Sequence, residues 1–309
     1  MIDTITLAQL KSGTQNFEMK KKKGSLDMAN LKIDRQHSFL EYIFGGCEVD
    51  LSIAIDFTLS NGDPRQPSSL HYFDPQRNQY LQAIQNVGNI LQFYNTDKMI
   101  NLYGFGGAIP PYTNRASHCF ALNGDIFNPR VPGVQGVIQC YQNALQKCRL
   151  YGPTHFSEIL REINNHVMSD LQSQSTQKFH ILVIITDGVI NDMNKTIDEI
   201  VKGSELPLAI IIVGVGDADF SSMEQLDGDE EALYSQSLRK YMAADIVQFV
   251  PYNDFKNNPH MLAKETLMEV PSQLLNWMRK HNVNPYPRSE EERRRIQQQM
   301  TMGANAQMG

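Results

Sequence analysis

An acid and two alternate hydroxyls, Asp56-Phe57-Thr58-Leu59-Ser60, follow directly on the nearly all-apolar run 51–55. A buried strand that ends this way presents three oxygen donors at one strand tip, and hard cations such as Mg²⁺ take oxygen donors. A second apolar run, 181–185, ends in Thr186-Asp187-Gly188. Between the two stands Thr154, in the turn Tyr151-Gly152-Pro153-Thr154. Two strand ends and one loop can therefore meet at a single metal. Thr58 and Ser60 would ligate as neutral hydroxyls, Asp56 and Asp187 directly or through waters, and Thr154 would close another face. Such a donor set leaves the cation electrophilic, with one position for a carboxylate from another molecule, which makes it a binding device rather than a catalytic one. Each piece also has a plainer use: Asp-x-Thr-x-Ser as a loop or helix cap, Thr154 as the cap of a helix starting near Phe156, and Asp187-Gly188 as a turn.

The elements that must position these residues alternate along the chain. Residues 49–57 read as a buried strand interrupted only by Asp50 and Ser52, and 76–94 as a helix with Tyr80, Ile84, Val87, Ile90 and Leu91 on one face. A strand at 99–105 ends in Gly104-Phe105-Gly106-Gly107. Helices are expected at 135–150, 156–171, 193–201 and 261–280, and strands at 179–185, 208–213 and 246–250. Short apolar strands alternating with helices predict an α/β fold, a Rossmann-like, doubly wound, mostly parallel sheet with helices on both faces. Ligands of such sheets bind at the carboxyl ends of the strands, near a topological switch point. Asp56, Gly104 and Asp187 all fall at or just after strand ends, on one rim.

Residues 1–37 are polar and carry Lys20-Lys21-Lys22-Lys23 between short strand-like pieces, 4–7 and 31–33. They read as a remnant of a preceding β-domain with its linker. Residues 285–309 open with Pro285-Tyr286-Pro287, then turn charged and rich in Gln, Met and Gly, the composition of a disordered tail. The main domain is thus 38–284.

Composition narrows the function. With 41% hydrophobic and 20% charged residues among 309, the chain is an ordinary globular one that forms a core without staples. A net charge of −6 argues against nucleic acid as a partner. The four cysteines, Cys47, Cys119, Cys140 and Cys148, include no Cys-x-x-Cys pair, which leaves zinc ribbons unsupported and fits reduced thiols in the cytoplasm. The first ten residues lack a basic segment followed by an apolar one, so no secretory signal is expected. Membrane association would be peripheral, and the four lysines make at most a weak anchor, at roughly 1 kcal/mol each near an anionic surface. Arg293-Arg294-Arg295 after three glutamates reads as local helical pairing rather than a nucleic-acid patch.

Residues 53–64, Ile-Ala-Ile-Asp-Phe-Thr-Leu-Ser-Asn-Gly-Asp-Pro, resemble the opening of the von Willebrand factor A-type domain of copines. Further matching blocks are 67–72, 104–107, 151–154 and 184–188, with 38–43 and 45–47 similar to the family's lead-in. The resemblance spans roughly residues 4–284. It implies a Rossmann-like domain with a metal-ion-dependent adhesion site. The family's Asp-x-Ser-x-Ser motif falls on Asp56, Thr58 and Ser60, with Thr58 in place of the usual first serine. The family's threonine falls on Thr154 and its distal aspartate on Asp187. The metal expected is Mg²⁺ or Mn²⁺, with Ca²⁺ as the remaining option. Copines carry two calcium-dependent lipid-binding C-two domains ahead of this one. Residues 1 to about 35 resemble the last strands of the second, without its aspartate-rich calcium loops. The resemblance implies a non-enzymatic module that recruits intracellular proteins through an acidic residue and, in the full-length family, couples them to phospholipid membranes. Its location would be the cytoplasm, with recruitment to the plasma membrane.

A metal-dependent phosphoryl-transfer enzyme of the haloacid dehalogenase type is the alternative. Asp56 would then be the nucleophile, and Asp217 and Asp219 the distal acidic pair. Thr58 stands where that class has its general acid, and no strand-end lysine is evident. A dinucleotide site at Gly214-Val215-Gly216 lacks its third glycine, since Asp219 stands there.

Overall fold

The computed structural model describes residues 35–286 other than 73, 110–114, 171–172 and 229–230, together with residue 10 and the segments 16–18 and 25–27. The strand-like pieces 4–7 and 31–33, the run Lys20–Lys23 and the tail from 287 onward lie outside the described residues. The chain divides into two units, Met1–His37 and Ser38–Gly309. In the first, β1 (Asn16–Glu18) pairs antiparallel with β2 (Ser25–Asp27), Phe17 opposite Leu26.

The second unit opens with α1 (Phe39–Gly45), whose first turn is closed by a capping box. Ser38 Oγ accepts the Glu41 N–H and the Glu41 carboxylate accepts the Ser38 N–H, so two donors without intrahelical partners are satisfied reciprocally. β3 (Glu48–Asp56), α2 (Gln79–Leu91), β4 (Met99–Phe105), β5 (Gly107–Ala108), β6 (Phe120–Ala121) and β7 (Arg130–Pro132) come next. They are followed by α3 (Gly133–Lys147), β8 (Arg149–Leu150), α4 (Ser157–Ser169), β9 (Lys178–Thr186), α5 (Met193–Gly203) and β10 (Leu208–Gly214). The remainder is α6 (Ser221–Asp227), β11 (Tyr234–Ser235), β12 (Lys240–Tyr241), β13 (Val247–Pro251), α7 (Tyr252–Phe255), α8 (Pro259–Leu267) and α9 (Val270–Lys280).

The central sheet has the strand order β13-β10-β9-β3-β4-β6, with β7 also on β4. Its five long strands are parallel, and the two short edge pieces are antiparallel to β4. A parallel sheet needs cover on both faces, which is why its strands read as unbroken apolar runs. Side chains alternate accordingly. Leu51, Ile53, Ile55, Ile181, Val183, Ile185 and Ile211 pack with α2, α3, α8 and α9. Ala54, Leu182, Ile184, Ile210 and Ile212 pack against α4, α5 and α6.

The order of connections sets the site. From β3 the chain crosses to β4 on one side; from β9 it crosses to β10 on the other. The strand order therefore reverses between β3 and β9, and the two loops part there to leave a crevice at the strands' carboxyl ends. Asp56 ends β3, and Asp187 directly follows β9.

The structure differs from the sequence expectation in several places. The helix expected over 135–150 ends at Lys147, and Arg149–Leu150 form the short strand β8 instead. The single closing helix at 261–280 is two helices, α8 and α9, broken at Met268–Glu269. Pro271 has no N–H to offer the Leu267 carbonyl and its ring crowds that oxygen, so it is tolerated only in the first turn of a new helix. The edge strands β6 and β7 span two and three residues, too short to show a period in sequence.

Ile53 lies at the centre of the sheet and is 2% exposed. Ile53→Ala is expected to destabilise the domain by about 3 kcal/mol in urea denaturation; a loss below about 1 kcal/mol would contradict its burial between the sheet and α2.

Candidate metal centre

The loops after β3 and β9 bring oxygen donors into contact, and a third loop places Thr154 beside Gly188. Thr58 follows β3 and starts the short 3₁₀ turn Leu59–Asn61, but its hydroxyl does not cap that turn. Thr58 Oγ1 instead lies 2.9 Å from Ser60 Oγ. Ser60 Oγ in turn donates to Asp187 Oδ1 at 3.1 Å. Both Asp56 carboxylate oxygens are engaged: Oδ1 accepts the Thr58 N–H at 2.7 Å and Asn61 Nδ2 at 3.3 Å, and Oδ2 accepts the Thr186 hydroxyl at 2.6 Å. Thr154 Oγ1 and Ser60 Oγ lie 3.3 and 3.7 Å from the point where a side chain on Gly188 would begin. A residue larger than glycine at 188 would thus press on the Thr154 hydroxyl and touch that of Ser60. Asp56, Thr58, Thr154 and Asp187 are buried, while Ser60 is exposed and sets the outer edge of the cluster.

The loops are held by residues that do not belong to the donor set. Asn191 clamps Thr154 through two 2.9 Å bonds, side chain to the Thr154 N–H and main chain to its carbonyl. The first N–H groups of α4, at Phe156 and Ser157, are capped by Asp192 at 3.1 Å each. Thr154 is therefore relieved of that task. His71 bonds the Asp56 carbonyl at 2.8 Å and the Tyr141 hydroxyl at 2.7 Å, with its ring stacked on Phe57 and Tyr80. Burial pushes the His71 imidazole down to about 3, so it is neutral and acts as a strut. Gly106, at φ +73°, passes so close that an added Cβ would stand 2.2 Å from Thr58 Cγ2.

Sequence reasoning missed Asn61, His71, Thr186 and Asn191. Only Thr186 left a signal, as a hydroxyl at the buried tip of an apolar strand.

Burial raises both Asp56 and Asp187 above the usual carboxylate range, and Asp187 is raised further by the Asp56 charge. Among the described residues, no Lys, Arg or His side chain forms an ion pair with either. Two buried carboxylates sharing a site without countercharge are costly to ionise together. A divalent cation relieves that repulsion, and an all-oxygen set of two acids and three hydroxyls fits a hard one.

The alternative acids stand elsewhere. Asp219 caps the Ser221 N–H and Asp217 accepts from Asn253, both on exposed turns. The Gly216 N–H is taken by Gln79 Oε1. His155, beside Thr154, packs on the His118 ring.

A doubly wound, mostly parallel sheet with acids and hydroxyls gathered at its switch point is the α/β architecture that the sequence predicts. A family model described as Copine matches residues 69–286. Copine-A of Dictyostelium discoideum is 47% identical over 268 residues, 86% of this chain and 44% of that protein. The chain belongs to the copine family, and it spans less than half the length of that relative. Among solved structures, manganese-loaded TRAP protein of Plasmodium vivax aligns over 72% of this chain and 74% of its own, at 14% identity and a TM-score of 0.42. Proximal thread matrix protein 1 from the mussel byssus, with a zinc-occupied MIDAS motif, aligns over 71% of this chain and 46% of its own, at 12% identity and a TM-score of 0.39.

Gly106→Ala is expected to destabilise the domain by more than about 1 kcal/mol, from backbone strain and collision with Thr58. Thr58→Ser removes the colliding methyl and keeps the hydroxyl. The double variant should therefore be more stable than the sum of the two single changes, by about 1 kcal/mol in a denaturation cycle. Strict additivity would contradict the close approach.

Proposed function

We propose that this domain is a metal-dependent protein-interaction module. Asp56, Thr58, Ser60, Thr154 and Asp187 hold one Mg²⁺ or Mn²⁺, and an acidic side chain of a protein partner completes its coordination. The observation that carries this reading is the chain of contacts Thr58–Ser60–Asp187 beside Asp56, two buried acids without a basic partner. The cation supplies a fixed positive centre at the switch point. The residues themselves orient its approach: Thr186 and Asn61 pin Asp56, and Asn191 sets the height of Thr154.

We assign the chain as residues 1–37, a remnant of a preceding lipid-binding β-domain and linker; 38–284, the copine-type domain; and 285–309, a tail. In the full-length family context the module would couple cytoplasmic target proteins to membranes recruited by calcium. No helix among the described residues is long and apolar enough to cross a membrane.

A phosphoryl-transfer role is disfavoured by the same geometry. Both oxygens of Asp56 are held by Thr58, Asn61 and Thr186, and among the described residues no Lys or Arg pairs with it where a transferred phosphoryl group would need countercharge. Asp217 and Asp219 serve surface turns instead of the cluster.

Adding Mg²⁺ or Mn²⁺ to chelated protein should raise its melting temperature, since a ligand at 100 times its Kd stabilises by about 2.7 kcal/mol. Asp187→Ala should abolish the rise. Proteins retained by the wild-type domain should be released by chelator and absent from an Asp187→Ala bait. No shift at millimolar cation contradicts the metal. Turnover of a generic phosphatase substrate that Asp56→Asn abolishes would favour the enzyme.

A further inference from the structure

The opposite end of the sheet carries a second cluster, independent of the first. Asp50 near the start of β3 and His180 near the start of β9 are register partners in the parallel pair. With period two they share the face of Ala54 and Leu182, the face covered by α4. The last turn of α4 adds His166. His166 Nε2 lies 3.0 Å and His180 Nδ1 3.4 Å from the same oxygen, Asp50 Oδ2. One donor atom from each of the three residues lies within 4.8 Å of the others. The His180 side chain is 3% exposed, yet neither ring nitrogen makes a hydrogen bond. Each nitrogen instead faces a carboxylate oxygen at 3.4 Å, Nδ1 that of Asp50 and Nε2 that of Asp170, so the buried ring is bracketed by two acids without closing a hydrogen bond to either.

We propose that Asp50, His166 and His180 form a zinc site, with Asp50 Oδ2, His166 Nε2 and His180 Nδ1 as ligands and water as the fourth. In a tetrahedral centre with bonds of about 2.0 Å, neighbouring donor atoms sit about 3.3 Å apart. The two spacings to Asp50 Oδ2 bracket that value. His166, with a side chain 34% exposed, has room to swing closer to His180 and leaves a path for water. The outer shell is present too. His180 Nε2 lies 3.4 Å from Asp170 Oδ2, and Asp170 accepts Lys178 Nζ at 2.9 Å. A carboxylate behind a ligating histidine fixes the ring's tautomer and orientation.

Two imidazoles with one carboxylate suit zinc and not magnesium, so the two ends of the sheet differ in the metal they take. A plain ion pair between Asp50 and a protonated His166 is the rival account. It leaves the His180 nitrogens 3.4 Å from Asp50 and Asp170, outside hydrogen-bond geometry, whereas zinc would engage Nδ1 directly. Bound zinc would tie the end of α4 to the amino ends of β3 and β9.

The test uses the full chain, stripped by chelator, then held in millimolar Mg²⁺ to occupy the carboxyl-end cluster. Zn²⁺ is titrated by calorimetry and Co²⁺ by visible absorption. One equivalent of Zn²⁺ should bind wild type and Asp187→Ala alike, with Co²⁺ giving the intense bands of a tetrahedral site in both. His166→Gln, at a half-exposed position that leaves the core packed, should lose both signals. Asp170→Asn should weaken zinc about 10- to 100-fold. Circular dichroism checks that each variant is folded. Failure of wild type to take up zinc, or equal uptake by folded His166→Gln, would overturn the proposal. Because Asp187→Ala is carried in parallel, failure of the magnesium site and failure of the zinc site give different patterns.

Discussion

Two buried carboxylates, Asp56 and Asp187, converge where the strand order of a parallel sheet reverses. Burial and mutual repulsion oppose their joint ionisation, and no basic side chain among the described residues answers them. The surrounding structure holds them there regardless. Hydroxyls of Ser60 and Thr186, the Asn61 amide and a neutral buried His71 fix the loops so that the acids do not retreat. An arrangement that is unfavourable by itself and so heavily braced is one that a cation would stabilise.

Much of the architecture was legible because a parallel sheet forces its own sequence pattern. Strands covered on both faces must be apolar throughout, so β3, β9 and β10 stood out as runs, and the acids and hydroxyls at their tips stood out against them. What resisted reading was set by tertiary contact or by single residues. The break before α9 depends on Pro271 overriding an otherwise helical period. The edge strands β6 and β7 form only because β4 offers unpaired backbone groups. His71 lies in a loop, and its part as a strut between the Asp56 carbonyl and Tyr141 follows from packing that no spacing reveals.

The polar interruptions within the strands carried information of a different kind. Asp50 and Ser52 break the run of β3, and His180 breaks β9. Parallel pairing places Asp50 beside His180 and Ser52 beside Asn101, so the exceptions in separate strands neighbour each other in space. The sheet thus gathers hard oxygen donors at its carboxyl end and imidazoles with carboxylates at its amino end.

The most direct test of the central claim is a crystal of the domain grown with Mn²⁺ and measured for anomalous scattering. The account predicts one manganese bonded to the hydroxyls of Thr58, Ser60 and Thr154, with Asp56 and Asp187 bonded to it directly or through water. A well-ordered map with no anomalous peak among those five residues at millimolar manganese would contradict it.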